Sequence, residues 1–129
     1  MAVQESGEMY LETILILSRE RKAVRAIDVA EYMNFSKPAV SRALTKLKAD
    51  EHVCVDADGC ITFTESGREI AEKIYERHTV LTEFIRRLGI DEETAIADAC
   101  RIEHVISEET FEAFKRHARE YVAGSSEKT

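Results

Sequence analysis

The chain has 129 residues, 44% hydrophobic and 33% charged, with one proline and a formal net charge of −7. This length holds one ordinary domain or two very small ones, and the apolar share is too high for a disordered chain. No apolar run approaches the roughly 20 residues needed to cross a membrane, and "MAVQESGEMY" lacks the basic-then-apolar pattern of a leader. Three cysteines at irregular spacing make no disulfide framework. A mainly helical, cytoplasmic protein without a membrane partner is expected. The acidic balance speaks against nucleic acid unless the basic residues are segregated.

Taken in chain order, "MYLETILILSRER" places Met9, Leu11, Ile14, Leu15 and Leu17 along one stripe, which predicts a helix from about Glu8 to Glu20. Ile27, Val29, Ala30 and Met33 predict a second, short amphipathic helix, closed by a tight break at Asn34 and Phe35. Ser36 can cap a third helix, with Pro38 in its first turn where a missing N–H is harmless. That helix turns Val40, Leu44 and Leu47 inward and shows Lys37, Ser41, Arg42, Thr45, Lys46 and Lys48 on its other face.

In "HVCVDADGCITFT" β-branched and apolar residues flank Asp58-Gly59, a hairpin signal because glycine supplies the positive φ of the turn. A helix, a helix pair and a hairpin in this order predict a winged helix-turn-helix. From Ser66 a long periodic run ends at Gly89, and "DEETAIADACRIEHVI" and "EETFEAFKRHAREYV", separated by a Ser107 cap, complete an all-helical second region. The expected division is a winged helix-turn-helix domain over 1–70 and a helical dimerisation and metal-binding domain over 71–129, with the tail "AGSSEKT" frayed.

Between Ser36 and Ala49 stand Lys37, Arg42, Lys46 and Lys48 and no acid, so the basic residues are segregated after all. Arginine can read guanine bidentately in a major groove, and hydroxyls and lysines suit phosphate contacts. Ser36, Lys37, Pro38, Ser41, Arg42, Thr45 and Lys46 are the candidate contacts to double-stranded DNA.

"DACRIEHVIS" sets Cys100, Glu103 and His104 at i, i+3 and i+4, one face of a continuous helix. Sulfur, carboxylate and imidazole together suit late first-row divalent ions better than magnesium or calcium. Met9 and Glu12, three apart on the first helix, and His78 on the long helix are further donors. Each residue alone reads as packing, since a single cysteine is ordinarily a small hydrophobe. Cys54 and Cys60 in the wing leave an alternative open, a regulator that senses an oxidant or an organic ligand.

"GEMYLETI", "AVRAIDVAEYMNFSKPAVSRALTKL", "YERHTVLTEFI" and "DACRIEHVIS" together resemble the iron- and manganese-dependent repressors of the diphtheria toxin repressor and manganese transport regulator type. The resemblance runs from about Gly7 to Val122 and implies the two-domain form: a homodimer that binds a palindromic operator and takes a divalent metal as corepressor. It implies Met9, Glu12, His78, Cys100, Glu103 and His104 as metal positions. Methionine and cysteine at Met9 and Cys100 follow the iron-type pattern, so Fe(II) is favoured over Mn(II). Thr82 and Ile96 stand where iron-type relatives place a glutamate and a histidine of an ancillary site, so that site is not expected in its usual form. Glu12, His78 and Glu103 leave open a second ion instead.

Overall fold

A computed structural model describes residues 5–128, with side chains described for 6–119. Helices α1 (Glu5–Glu20), α2 (Ala26–Met33) and α3 (Lys37–Ala49) precede strands β1 (Val53–Val55) and β2 (Ile61–Phe63) and helices α4 (Glu65–Arg87), α5 (Glu92–Ile102) and α6 (Glu108–Lys128). The chain divides into two compact units, one through Lys73 and one from Ile74, so α4 contributes its first turns to one and its remainder to the other.

In the first unit α1 is buried over most of its circumference, with Tyr10, Leu11, Ile14, Leu15 and Leu17 inside. Met9 departs from the expected inward stripe and is 38% exposed. Val29 and Ala30 of α2 and Val40, Leu44 and Leu47 of α3 fill the rest of the core, which leaves Ile27 at the surface. Asn34 takes the left-handed conformation (φ 57°), turning the chain between α2 and α3, and the Phe35 N–H donates to the Ala30 carbonyl (3.1 Å). Asparagine tolerates that conformation because its short side chain can bond locally. Ser36 then caps α3, its Oγ accepting from the Ala39 N–H at 3.3 Å.

The strands pair antiparallel, Val53 with Phe63, Cys54 with Thr62 and Val55 with Ile61. Asp56 organises the connection: its Oδ1 accepts from the Asp58 and Cys60 N–H groups, both at 2.9 Å, and Gly59 alone carries the positive φ (82°). The wing is also tied to the entry of α2. Ile61 N–H donates to the Val24 carbonyl (2.8 Å) and Arg25 Nε to the Asp58 carbonyl (3.1 Å). Helix, helix-turn-helix and two-stranded wing make the winged helix-turn-helix expected from the sequence, within a mainly α chain.

The second unit is all-helical. Leu81 and Ile85 of α4 meet Ala95 and Ala99 of α5, with Ile102, Ile106 and Phe114 packed around them. Phe84 stacks on Phe114 at 5.1 Å between centroids. Gly89 (φ 94°) carries the chain out of α4, Asp91 caps α5 through the Thr94 N–H (3.1 Å), and Ser107 caps α6 through the Thr110 N–H (3.1 Å). The Thr94 N–H bond also holds the carboxyl of Asp91 below the usual carboxylate range, because the ionised form is the one that accepts it. The backbone of α6 continues to Lys128 where fraying was expected, since Gly124 weakens a helix without forbidding it.

Candidate metal centre and nucleic-acid face

Three elements of the second unit bring chemistry to one place. α4 supplies His78, α5 supplies Cys100 near its end, and the chain leaving α5 supplies Glu103, with ligand atoms all within 4.8 Å of one another. His78 Nδ1 lies 2.9 Å from Glu103 Oε2 and 3.8 Å from Cys100 Sγ. The other carboxylate oxygen, Oε1, is 3.3 Å from His104 Nε2. The Glu103 side chain is wholly buried and that of His104 is 2% exposed. One carboxylate is therefore held between two imidazoles, with a thiol beside the first.

Such a carboxylate needs a positive neighbour, because an isolated buried charge is costly. Here the neighbour is a proton on His78: hydrogen bonds with Cys100 and Glu103 and their negative charge raise its pKa from 6.5 to about 10, against the opposing pull of burial. Imidazole, carboxylate and thiol converging on a shared cation are also the donors a late first-row divalent ion takes, so these residues fit the metal that the sequence pattern implies.

The local backbone differs from the expected continuous helix. α5 ends at Ile102, Glu103 keeps a helical φ and ψ (−58°, −26°) as its cap, and His104 lies in the turn beyond. Cys100 and Glu103 thus retain helical spacing, and His104 follows in the turn beyond the helix. At the two positions where the pattern of iron-type relatives is broken, Thr82 Oγ1 is buried without a hydrogen-bond partner among the described residues and Ile96 is 39% exposed. Met9 and Glu12 share one side of α1 in the first unit, spaced three apart as expected.

Arg77, one residue before His78, went unnoticed in the sequence. Its Nη1 donates to the carbonyls of Glu103 (3.0 Å) and Ile106 (2.9 Å), its Nη2 pairs with Glu108 (3.2 Å), and its guanidinium lies 5.4 Å from the Phe111 ring centroid. A cation on a helix face that must point inward was the available signal.

In the first unit α3 presents Lys37, Pro38, Ser41, Arg42, Thr45 and Lys46 to solvent. Two of the hydroxyls have local work: Ser36 caps the helix, and Thr45 Oγ1 donates back to the Ser41 carbonyl at 2.9 Å. In the wing, Cys54 opposes Thr62 rather than Cys60, and both cysteines are free.

Residues 2–60 match the family described as iron dependent repressor, N-terminal DNA binding domain, and residues 64–120 match the iron dependent repressor, metal binding and dimerisation domain. The chain is 33% identical over 102 residues to the HTH-type transcriptional regulator MntR of Geobacillus kaustophilus, covering 79% of this chain and 72% of that protein. It is 34% identical over 115 residues to an uncharacterized HTH-type transcriptional regulator of Methanocaldococcus jannaschii, covering 88% of this chain and 92% of the other. Among solved structures it is similar to the manganese regulator SloR, with a TM-score of 0.78 and 26% identity over 92% of this chain and 55% of that one, so it spans about half the length of that structure. With both domains matched in order, the chain belongs to the iron-dependent repressor family of DNA-binding, metal-dependent transcriptional regulators.

Proposed function

We propose that the chain is a cytoplasmic repressor of metal-homeostasis genes that binds a palindromic operator as a homodimer, with Fe(II) as corepressor in preference to Mn(II). The observation that carries this reading is the buried Glu103 carboxylate with His78 on one oxygen, His104 on the other and Cys100 alongside His78. Resemblance to the family adds Met9 and Glu12 of α1 to that ligand set. Residues 1–70 then serve DNA and residues 71–129 serve dimerisation and metal.

A divalent ion, when bound, supplies the positive charge that Glu103 otherwise takes from an imidazolium. To hold the ion, His78 would give up its proton and offer a neutral nitrogen, the Cys100 thiol would give up its own and offer a thiolate, both protons passing to solvent, and Glu103 and His104 would complete the donors from the second unit. Commitment of Met9 and Glu12 to the same ligand set restricts α1, and DNA affinity rises because fewer orientations of the reading helix remain to be ordered at binding. Arg42 reads a base edge, while Lys37 and Lys46, with the hydroxyls of Ser36, Ser41 and Thr45 beside Pro38, fix the register on phosphates. The wing cysteines Cys54 and Cys60 take no part.

The thioether of Met9 and the thiol of Cys100 favour iron(II) on softness. A solved structure similar to this chain is described as a manganese regulator, so Mn(II) is the second candidate. The test is an anaerobic titration of each ion against a duplex selected from random sequence by the iron-loaded protein. Tight binding is expected at lower free Fe(II) than Mn(II), with Met9→Asp shifting the order toward Mn(II). Equal DNA affinity with and without either ion would remove the corepressor reading.

A further inference from the structure

Arg77 commits both terminal nitrogens of its guanidinium to the end of α5 and the turn that joins it to α6. The carbonyls of Glu103 and Ile106 belong to the end of α5 and the turn after it, where helical carbonyls lose their intrahelical partners and the helix dipole is negative. Nη1 takes both, at 3.0 and 2.9 Å, and Nη2 reaches across to Glu108 at the start of α6, so one guanidinium ties the residue that caps one helix to the first of the next. The face of Phe111, itself 1% exposed, lies against the guanidinium at 5.4 Å to its carbon.

This placement is costly for stability alone. The Arg77 side chain is 11% exposed and its Nε is buried without a hydrogen-bond partner among the described residues. A buried ionic group is commonly no more stabilising than an apolar side chain of similar volume. What the arginine adds is geometry: two carbonyls and a carboxylate at fixed angles match a planar fork, which a lysine's point charge does not. One of the two carbonyls it grips is that of Glu103, the residue whose side chain faces His78, and Arg77 and His78 are neighbours on one helix, so the same turn of α4 that offers the imidazole also sets the backbone that offers the carboxylate.

We propose that Arg77 is a positioning residue of the metal centre: by clamping the Glu103 and Ile106 carbonyls to α4 it sets the register of the turn, and through it the affinity and coordination geometry of the site formed by His78, Cys100, Glu103 and His104. The proposal rests on the metal reading of that cluster. It acts through the backbone and places no atom of Arg77 on the ion.

The experiment uses Co(II), whose visible absorption reports coordination geometry and whose thiolate charge-transfer band reports Cys100, on the full chain at a temperature well below unfolding. Affinity is measured by competition with a chelator, and thermal stability of the metal-free protein is measured in parallel. Arg77→Met keeps the volume and removes the fork; the expected result is a loss of Co(II) affinity of about 10–100-fold, the range found when groups that orient metal ligands are removed, with an altered visible spectrum. Arg77→Lys is expected to restore only part of the affinity. Glu108→Gln, at the exposed end of the clamp, is expected to weaken Co(II) less than either while preserving the fold, and it decides the matter together with Arg77→Lys if Arg77→Met does not fold. Parental affinity and spectrum in the folded Arg77 variants would overturn the proposal and leave the site reading intact. A parent whose Co(II) spectrum lacks the thiolate band, or is unchanged by His78→Ala, would overturn the site reading and this proposal with it.

Discussion

Glu103 is wholly buried and faces an imidazole on each side, so its charge and the proton on His78 depend on each other. Hydrogen bonding with Cys100 and then with Glu103 holds the His78 pKa at about 10, above the 6.5 of an unfolded chain. The sign follows by linkage: in chelator-treated protein the pair contributes stability that is complete below about pH 6.5 and is lost as pH rises through about 10. Binding has the opposite dependence, because the proton must leave before His78 can ligate; metal affinity should rise with pH over the same interval, and calorimetry in buffers of different ionisation enthalpy should find proton release on binding near neutral pH that falls by about one per ion in His78→Ala. Affinity independent of pH between 7 and about 9.5 would place the ion elsewhere. The spacing of Cys100 and Glu103 was legible in the sequence. The departure of His104 from their helix was not, because no glycine or proline marks the end of α5: the carbonyls there are taken by Arg77, 26 residues before Glu103 in the sequence, and a contact of that kind has no local signature.

Among the elements, α3 was the most legible, since Ser36 and Pro38 mark its start and the alternation of Val40, Leu44 and Leu47 with cations fixes its two faces. Arg42→Ala should cost roughly 1–3 kcal/mol at one operator position if Arg42 reads a base, whereas Lys46→Ala should weaken all sequences alike and lower the salt slope by about 1. Both are read from DNA titrations at several salt concentrations, and equal operator affinity in Arg42→Ala would put another element in the groove. The junction of wing and α4 was less legible. A Cβ on Gly67 would run into the His52 carbonyl, so the glycine is required by close backbone approach rather than by φ. Gly67→Ala should destabilise by about 1–3 kcal/mol, visible as a lower Tm, because the clash is with backbone that cannot rotate away. An unchanged Tm would show that α4 can shift without cost. The anchoring of the wing to Val24 and Arg25 was likewise hidden, as it links residues more than 30 apart.

For the molecule as a whole, composition alone pointed away from DNA: a charge of −7 became compatible with an operator only when the cations of α3 were seen to stand apart from the acids. The matched dimerisation domain implies a two-fold arrangement, and two reading helices on one face of DNA should meet major grooves about 34–36 Å apart, or a multiple of that. Metal and DNA are then linked, so each raises affinity for the other by the same factor. The central claim is that the cluster around Glu103 is the switch. It is tested most directly by measuring, anaerobically, the affinity of the parent and of His104→Ala for one selected duplex as free Fe(II) is raised. The account predicts that the parent tightens with iron while His104→Ala, still a folded dimer by sedimentation, binds DNA at its metal-free level throughout; an iron response in His104→Ala equal to that of the parent would contradict it.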